Sequence, residues 1–338
     1  MTDDTAPIRL AVIGTGAISQ VVHVPILAER EDVELVALAD ADAAKADTIA
    51  RRFNIAEVIE PKEALTRDDL DAVVLCTPNN THEEMALEAL GAGKHVLVER
   101  PIATSAAGAA RVIEAAKTAG AYLAVGHPHR FRPEVAALRS FVAGGELGEL
   151  YAVRGSWLTR QVPLLRATWR QSKAASGGGA MMDLGVPALD LCLWIVGFPN
   201  IRSVSCVVHK GEYEVEDAAT LMFESEDGIV FSMEVSNRLF AGEDRYYTRV
   251  MGTEGSGSFP PLEIHKQLGG RPLEVTPRQP RPRGGENPYT NAYRRLLDQF
   301  VRGVAGRHEI ELPEEQVALM RLIEAAYESA EGGRAVAL

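Results

Sequence analysis

A glycine-rich turn near the N-terminus, placed between a strand pattern and a helix pattern, constrains the fold more than any other feature of the sequence. Residues 8–13 (IRLAVI) form a short apolar run with β-branched members, which is typical of a buried strand. The run ends at Gly14, and residues 17–30 follow with a helical pattern. Gly14 allows a tight turn, and Gly16 allows a pyrophosphate to approach the backbone at the start of the helix. The segment therefore predicts the beginning of a dinucleotide-binding domain.

The alternation of strand and helix patterns continues through the first third of the chain. Strands are predicted at 33–39, 72–76, 95–98 and 122–125, and helices at 42–53, 81–92 and 104–119. Strands separated by helices of about 10–15 residues are typical of a parallel sheet with helices on both faces. We therefore predict a doubly wound α/β Rossmann domain over residues 1–127.

After residue 128 the pattern changes to longer segments of alternating polar and apolar residues. Helices are predicted at 133–143, 179–196, 289–303 and 313–330, and strands at 201–209, 217–224, 228–238 and 245–252. Residues 265–288 are rich in Pro, Gly and Arg and are predicted to form a long surface loop. The pattern favours an α+β domain over residues 128–338, with a large, mainly antiparallel open sheet.

The alternating strands also indicate self-association. Apolar residues occur on both faces at Val204 to Val208 and at Phe231 to Val235. A sheet face with such residues would be an apolar patch larger than monomers usually expose. We therefore expect a homodimer or homotetramer that forms through the open face of the sheet.

Composition excludes several classes of function. The net charge of −12 disfavours nucleic acid and anionic membrane surfaces as partners. The N-terminal residues lack the pattern of a signal peptide, and no run of 18 uncharged apolar residues occurs, so we expect a cytoplasmic protein without a membrane span. Cys76, Cys192 and Cys206 form no CxxC pair, so neither a disulfide framework nor a metal site is expected.

The second strand ends at an acid that bears on the choice of cofactor. Asp40 lies about 20 residues beyond the glycine loop, where a carboxylate can bind the ribose hydroxyls of a dinucleotide. The next residues, Ala41 and Asp42, offer no cation for a 2′-phosphate, and no basic residue is expected to stand beside Asp40. The sequence therefore favours NAD over NADP. The third position of the loop motif is Ser19 instead of Gly, which is a small-residue variant.

Several segments, in order and across the whole chain, resemble the Gfo/Idh/MocA oxidoreductase family. They are GTGAIS at 14–19, TPNNTH at 77–82, AGKHVLVERP at 92–101, SGGG at 176–179, DLG at 183–185 and EAAYES at 324–329. The resemblance implies an NAD-dependent enzyme that acts on a small carbohydrate-like, polyol or keto substrate. It also implies a set of cofactor-binding residues: Gly14, Gly16, Ala17, Ile18, Asp40, Thr77, Pro78, Asn79, His82 and Glu99.

The sequence departs from the family at the positions that carry catalysis. The family's Glu-Lys-Pro triplet, which supplies the catalytic lysine, reads Glu99-Arg100-Pro101 here. The family also places a histidine four residues after an aspartate on one helix face; Asp183 is present, but Pro187 replaces the histidine. The loop after the last Rossmann strand reads GHPHRF at 126–131, with His127 and His129 alternating along the end of the predicted strand.

Because an arginine keeps its proton in proteins, Arg100 cannot accept the proton of an alcohol. It can stabilise negative charge that develops on a substrate oxygen. The proton then passes to or from Asp183, His127, His129 or water. The resemblance further places Trp157, Arg160, Trp169 and Arg170 in the substrate pocket, together with Arg100, Asp183 and Pro187.

Three functions are compatible with these residues. The first is an NAD(H)-dependent oxidoreductase with altered catalytic residues. The second is a catalytically silent dinucleotide-binding sensor or scaffold, which the replaced lysine and histidine favour. The third is a redox-neutral enzyme in which bound NAD is reduced only transiently.

Overall fold

The computed structural model describes residues 6–161, 167–279, 287–308 and 310–338. The chain forms two compact units. The first comprises residues 1–128 and 287–316, and the second comprises residues 129–286 and 317–338. The sequence analysis assigned residues 128–338 to one domain, whereas residues 287–316 group with the first unit here.

The first unit contains a six-stranded parallel sheet in the order β3-β2-β1-β4-β5-β6. Its strands are β1 (Ile8–Ile13), β2 (Val33–Ala39), β3 (Glu57–Ile59), β4 (Ala72–Leu75), β5 (His95–Glu99) and β6 (Leu123–Gly126). Its helices are α1 (Val24–Ala28), α2 (Ala43–Phe53), α3 (Pro61–Thr66), α4 (Asn79–Gly91), α5 (Ala106–Ala119) and α9 (Pro288–Val304). Strands β1, β4 and β5 are almost entirely buried, as expected for central strands covered on both faces.

Local residues explain where the helices of this unit begin and end. The Ser105 side chain caps α5 by accepting a hydrogen bond from Gly108 N–H, and Gly120 ends it with φ of 61°. The single helix predicted at 17–30 is instead a π-helical turn, Ser19–His23, followed by the short helix α1. Residues 57–66, for which no element was predicted, form β3 and α3.

The second unit contains a nine-stranded sheet in the order β14-β13-β12-β11-β7-β10-β9-β8-β15. Its strands are β7 (Leu150–Arg160), β8 (Ile201–Lys210), β9 (Glu216–Ser225), β10 (Val230–Leu239), β11 (Arg245–Gly252), β12 (Gly255–Phe259), β13 (Glu263–Leu268), β14 (Arg271–Glu274) and β15 (Val336–Ala337). Its helices are α6 (Pro133–Ala143), α7 (Lys173–Ser176), α8 (Val186–Val196) and most of α10 (Glu315–Gly332). Strands β7 and β10 are parallel, and the other described pairs are antiparallel, so the prediction of a mainly antiparallel sheet is confirmed.

One face of this sheet packs against α8. Phe223 and Phe231 stack with ring centroids 4.5 Å apart on that face. A side chain at Gly155 would have its Cβ 2.9 Å from Cys192 Sγ of α8, so the glycine allows the helix to lie close to β7. The region 173–196, which includes α8, is long and apolar enough to cross a membrane, but 83% of its apolar window is buried inside the unit. Its burial is therefore that of a core segment of the second unit.

The opposite face of the sheet is mixed in character. Exposed apolar side chains such as Val207 and Met222 lie on it, but Arg154 and Arg249 are directly paired across β7 and β11. Between Phe231 and Val235, the apolar residues are buried and only the intervening polar residues face outward. The expectation of apolar residues on both faces therefore holds only in part.

Three sequence-based expectations for residues 127 and beyond were wrong. Residues 150–160 were assigned no strand, but they form β7 at the centre of the sheet. The predicted loop at 265–288 contains the hairpin of β13 and β14, while residues 280–286 lie outside the described part of the chain. His127 and His129 do not alternate along a strand, because β6 ends at Gly126 and a 3₁₀ turn follows at Pro128–Phe131.

Candidate cofactor site and substrate cavity

The predicted cofactor residues all belong to the first unit, at the carboxyl ends of its strands. The glycine loop follows β1, Asp40 follows β2, the segment 77–82 follows β4, and Glu99 ends β5. From β1 the chain adds β2 and β3 toward one edge of the sheet and then β4 to β6 toward the other edge, so the connection switches direction between β1 and β4. In open parallel sheets, nucleotides bind outside the carboxyl ends of the strands at such a reversal.

The two glycines of the loop have different structural roles. Gly14 has φ of +91°, and a Cβ there would lie 2.6 Å from the carbonyl oxygen of Cys76, so it lets the loop pass against the end of β4. Among the residues that the structure describes, none has a heavy atom within 4 Å of a Cβ placed on Gly16. The space beside Gly16 therefore fits a pyrophosphate that a side chain would exclude. Ser19, the third motif position, donates its hydroxyl to the Gly14 carbonyl and fixes the loop from inside.

Within the described part of the chain, four donors of the protein itself bind Asp40. Its Oδ2 accepts hydrogen bonds from the backbone N–H (2.6 Å) and the hydroxyl (2.8 Å) of Thr15 and lies 2.9 Å from Lys45 Nζ. Its Oδ1 accepts a hydrogen bond from Asp42 N–H at 2.9 Å. Burial by itself raises the pKa of Asp40, but these donors outweigh it and hold the pKa below its usual range. The expectation that no basic residue stands beside Asp40 was wrong, because Lys45 in the first turn of α2 reaches back to it.

The segment 77–82 is fixed by side chains that contact backbone. The Thr81 hydroxyl contacts the Pro78 carbonyl and the Thr77 hydroxyl, both at 2.7 Å. The buried ring of His82 lies 2.9 Å from the Thr77 carbonyl and 2.7 Å from the Pro101 carbonyl. Burial lowers the pKa of His82. His82 thus connects the loop after β4 to the loop after β5, and Asn79 is buried at the start of α4.

Glu99 lies in a buried polar network. Its Oε1 is 2.7 Å from His23 Nε2 and accepts a hydrogen bond from the Tyr293 hydroxyl at 3.0 Å. Burial alone lowers the pKa of His23, but contact with the Cys76 thiol and the Glu99 carboxylate raises it to about 10. Burial acts in the opposite direction on Glu99, yet His23 and Arg100 keep the pKa of its carboxyl below the usual range. This network indicates that Glu99 supports the end of β5.

The proton-carrier candidates differ in their surroundings. His127 is buried, and its Nε2 lies 2.9 Å from Gln316 Oε1. His129, also buried, lies edge-on to the Trp157 ring at a centroid distance of 5.0 Å, and Trp157 stacks on Tyr246. His127 belongs to the first unit and His129 to the second.

Several predicted substrate residues meet at a cavity of about 420 Å³ in the second unit. Its described lining consists of Thr159, Arg160, Gln161, Arg170, Gln171, Gly179, Asp183, Glu212, Tyr213, Val215, Asp217, Asn237 and Arg238. The prediction had included Arg160, Arg170 and Asp183. Trp157, Trp169 and Pro187 are not among these described lining residues; Trp169 instead lies under the Arg170 guanidinium at 4.4 Å. Pro187 is buried in the first turn of α8.

Asp183 lies in the π-helical turn Met181–Gly185 that precedes α8, with 40% of its side chain exposed. Its Oδ1 is 3.7 Å from Arg170 Nε. The start of this turn is anchored by the buried carboxylate of Glu216, which accepts hydrogen bonds from the N–H groups of Gly179 and Met181, both at 2.9 Å. A carboxylate at the N-terminal end of a helical segment is favourable because the free N–H groups point toward it.

The glycine run before Asp183 is explained by close packing. A Cβ on Gly179 would lie 2.0 Å from the Glu216 backbone oxygen, and one on Gly178 would lie 1.9 Å from the Tyr327 hydroxyl. The Tyr327 hydroxyl donates to Glu216 at 2.8 Å. Two segments of the resemblance, SGGG and EAAYES, therefore meet at one buried carboxylate that the sequence analysis did not single out.

The remaining lining residues could not be found from local sequence. Asp217 is the second residue of β9 and pairs with Arg238 of β10 at 2.9 Å, and Glu212 and Tyr213 lie in the turn between β8 and β9. Gly211 allows this pair to form, since a Cβ there would lie 2.1 Å from Asp217 Oδ2. These residues follow no spacing rule, because strand pairing alone brings them together.

Family models match both parts of the chain. The model described as "Oxidoreductase family, NAD-binding Rossmann fold" matches residues 8–127. The model described as "GFO/IDH/MocA C-terminal domain" matches residues 135–258.

Relatives are similar over nearly the whole chain. A D-glucoside 3-dehydrogenase of Escherichia coli (strain K12) is 30% identical over 99% of this chain and 98% of that protein. A D-xylose 1-dehydrogenase (NADP(+)) of Haloferax volcanii is 30% identical over 97% of this chain and 98% of that protein. The crystal structure of GenD2 from gentamicin A biosynthesis in complex with NAD has a TM-score of 0.85 and 30% identity over 99% of this chain and 97% of that chain. Levoglucosan dehydrogenase in complex with NADH and L-sorbose shares the fold, with a TM-score of 0.87 at 22% identity over 98% and 99%.

Proposed function

Since this chain belongs to the Gfo/Idh/MocA family of NAD-binding oxidoreductases, we propose that it transfers hydride between NAD(H) and a secondary hydroxyl group of a carbohydrate or polyol. The observation that carries the proposal is the cavity around Asp183. Its volume falls within the range of about 300–1,000 Å³ that is usual for small-molecule sites. Among its described lining residues, Val215 is the only aliphatic side chain, so the lining suits a ligand that bears hydroxyl groups.

The first unit supplies the cofactor cradle in this proposal. The open space beside Gly16 receives the pyrophosphate, and the segment 77–82 borders the nucleotide at the end of β4. When bound there, NAD would supply the hydride acceptor for oxidation of the carbon that carries the hydroxyl, and NADH the hydride donor for the reverse reaction. The Glu99 network holds the end of β5 and therefore the start of the Arg100 segment.

Asp183 is the proton acceptor in this proposal. Oxidation of a secondary alcohol releases one hydride to the cofactor and one proton, which needs a base. Asp183 lines the cavity and is partly exposed, whereas His127 and His129 are buried. Arg100 keeps its proton and stabilises negative charge on the substrate oxygen, which also suits reduction of a ketone.

A relative supports the choice of a secondary ring hydroxyl. The name of the E. coli relative is D-glucoside 3-dehydrogenase, and the similarity covers almost all of both chains. The substrate screen therefore begins with methyl and aryl glucosides and continues with free hexoses, pentoses and inositols. Formation of reduced cofactor is followed by absorbance with NAD, and the reverse reaction is followed with 3-keto sugars and NADH.

Variants distinguish an active site from an inert cavity. On a substrate found in the screen, Asp183→Asn and Arg100→Met should each lower turnover by roughly 10²-fold, while NADH affinity changes little. Asp227→Asn, in the exposed turn between β9 and β10, and Arg271→Met, on an exposed strand, are the matched controls. Full activity of Asp183→Asn would remove Asp183 from catalysis. Tight NADH binding without turnover of any substrate favours the sensor or scaffold function.

We also propose that two or more copies associate through the open face of the nine-stranded sheet. Met222 and Val207 are more than half exposed on that face. Light scattering at micromolar concentration should give at least twice the monomer mass of 36.5 kDa. Met222→Lys should weaken the association, whereas Leu273→Lys on the edge strand β14 should not; a monomeric wild type contradicts the proposal.

A further inference from the structure

Asp40, the acid at the end of β2, forms an ion pair with Lys45 that bears on the choice between NAD and NADP. Lys45 Nζ lies 2.9 Å from Asp40 Oδ2. The lysine is the more accessible partner, with 39% of its side chain exposed against 11% for Asp40. Its ammonium group therefore lies beside the acid that normally selects ribose hydroxyls over a 2′-phosphate.

Donors of the protein already occupy most of the acceptor positions of the Asp40 carboxylate. A carboxylate offers about four acceptor positions. Two donors of Thr15, the N–H of Asp42 and the ammonium of Lys45 contact Asp40. Asp40 thus fixes the glycine loop to β2, and Lys45 offsets part of the negative charge that repels a 2′-phosphate.

We infer that Lys45 forms a 2′-phosphate subsite and that this protein binds NADP(H) in addition to NAD(H). The inference rests on the proposed cradle formed by the glycine loop and Asp40. A 2′-phosphate carries a charge of about −1.5 to −2 near neutral pH and attracts an ammonium group strongly. The flexible stem of Lys45 allows the ammonium to turn from Asp40 to the phosphate.

NAD(H) remains the tighter cofactor, for two reasons of charge. Asp40 stays ionised at neutral pH, because its neighbours hold its pKa below the usual range. Asp42 adds a second carboxylate nearby, and its Oδ1 caps α2 by accepting a hydrogen bond from Lys45 N–H at 3.0 Å. Two acids against one lysine leave a net repulsion of the phosphate, so Lys45 reduces the discrimination against NADP(H) without reversing it.

Titration calorimetry with NADH and with NADPH tests the inference without any substrate. The wild type should bind NADPH more weakly than NADH, but by less than about 100-fold. Lys45→Ala should weaken NADPH binding by a further ~10-fold or more and change NADH binding by less than ~3-fold; tenfold corresponds to about 1.4 kcal/mol. The Lys45-dependent part of NADPH affinity should shrink when salt is raised from ~0.05 M to ~0.3 M, because screening weakens exposed charge pairs.

Two further variants separate a phosphate contact from a structural role. Lys117→Ala removes an exposed lysine at the end of α5 in the same unit and should leave both affinities unchanged. Asp40→Asn removes the repelling charge and should narrow the gap between the two cofactors. An unchanged ratio of NADPH to NADH affinity in Lys45→Ala overturns the inference, as does equal weakening of both cofactors or a wild type that binds NADH alone. A wild type that binds neither cofactor overturns the cradle itself, whereas absence of turnover bears only on the proposed reaction.

Discussion

The two glycines of the nucleotide loop offer a matched pair in which one substitution affects folding and the other affects binding. A methyl group at Gly14 would lie 2.6 Å from the Cys76 oxygen and 2.7 Å from its carbonyl carbon, at a φ of +91°. The positive φ costs about 1–2 kcal/mol, and displacement of the β4 backbone costs about 1–3 kcal/mol more. Gly14→Ala should therefore destabilise the first unit by about 2–5 kcal/mol. Gly16→Ala meets open space and should change stability by no more than about 0.5 kcal/mol.

Thermal unfolding and NADH titration of both variants measure the two effects. For a unit of this size, Gly14→Ala should lower the unfolding midpoint by roughly 5–20 °C. Gly16→Ala should unfold within about 2 °C of the wild type but bind NADH about 100-fold more weakly, since loss of two charge-assisted hydrogen bonds is worth about 3 kcal/mol. Gly120→Ala, at φ of +61° and with no atom of the described residues within 4 Å of the new Cβ, measures the cost of a positive φ without a clash.

Either half of this reasoning can fail separately. Wild-type NADH affinity in Gly16→Ala would show that the loop does not hold the pyrophosphate. A midpoint for Gly14→Ala equal to that of Gly120→Ala would show that the contact with Cys76 imposes no packing constraint.

Two more predictions follow from the buried network beneath the loop. Because the pKa of His23 is raised from 6.5 to about 10, its protonated form stabilises the fold fully below pH 6.5, and this contribution is lost as pH rises through 10. The free energy of unfolding should fall over that window by at most about 5 kcal/mol. In His23→Gln, the midpoint of thermal unfolding should depend less on pH than in the wild type. Equal pH profiles of the two proteins would contradict this role of His23. Maleimide should modify Cys76 first, since Cys192 and Cys206 are buried and their pKa values are raised to about 12. Bound NADH should slow the modification of Cys76. Mass spectrometry that finds Cys192 or Cys206 modified first, or no protection by NADH, would contradict this prediction.

Local sequence was sufficient for the elements with a clear hydrophobic period. The bounds of β1, β2, α6 and β11 agree with the predictions to the residue, since each has an unbroken pattern between recognisable ends. The turn at Gly14 was also predicted locally, because the sequence shows a strand pattern before it and a helix pattern after it. The resemblance of several short segments added the family and both parts of its fold.

Tertiary structure decided the elements and contacts that have no local pattern. Strand β7 carries a glycine and exposed charged residues, so its sequence does not resemble a buried strand, yet pairing with β10 and β11 makes it central. Likewise, nothing in the local sequence distinguishes Glu216 from other glutamates. Only folding brings Gly179 and the distant Tyr327 to its carboxylate.

The surroundings of Asp40 show the same division at the candidate cofactor site. The sequence determined that an acid ends β2, because the strand pattern stops there. It did not determine the partner of that acid, because the two residues that follow it carry no cation and the compensating charge comes from the first turn of α2. A side chain's chemistry is fixed by its residue type, but its charge balance is set by which neighbours the folded backbone brings within about 3–4 Å, and at Asp40 that neighbour is Lys45.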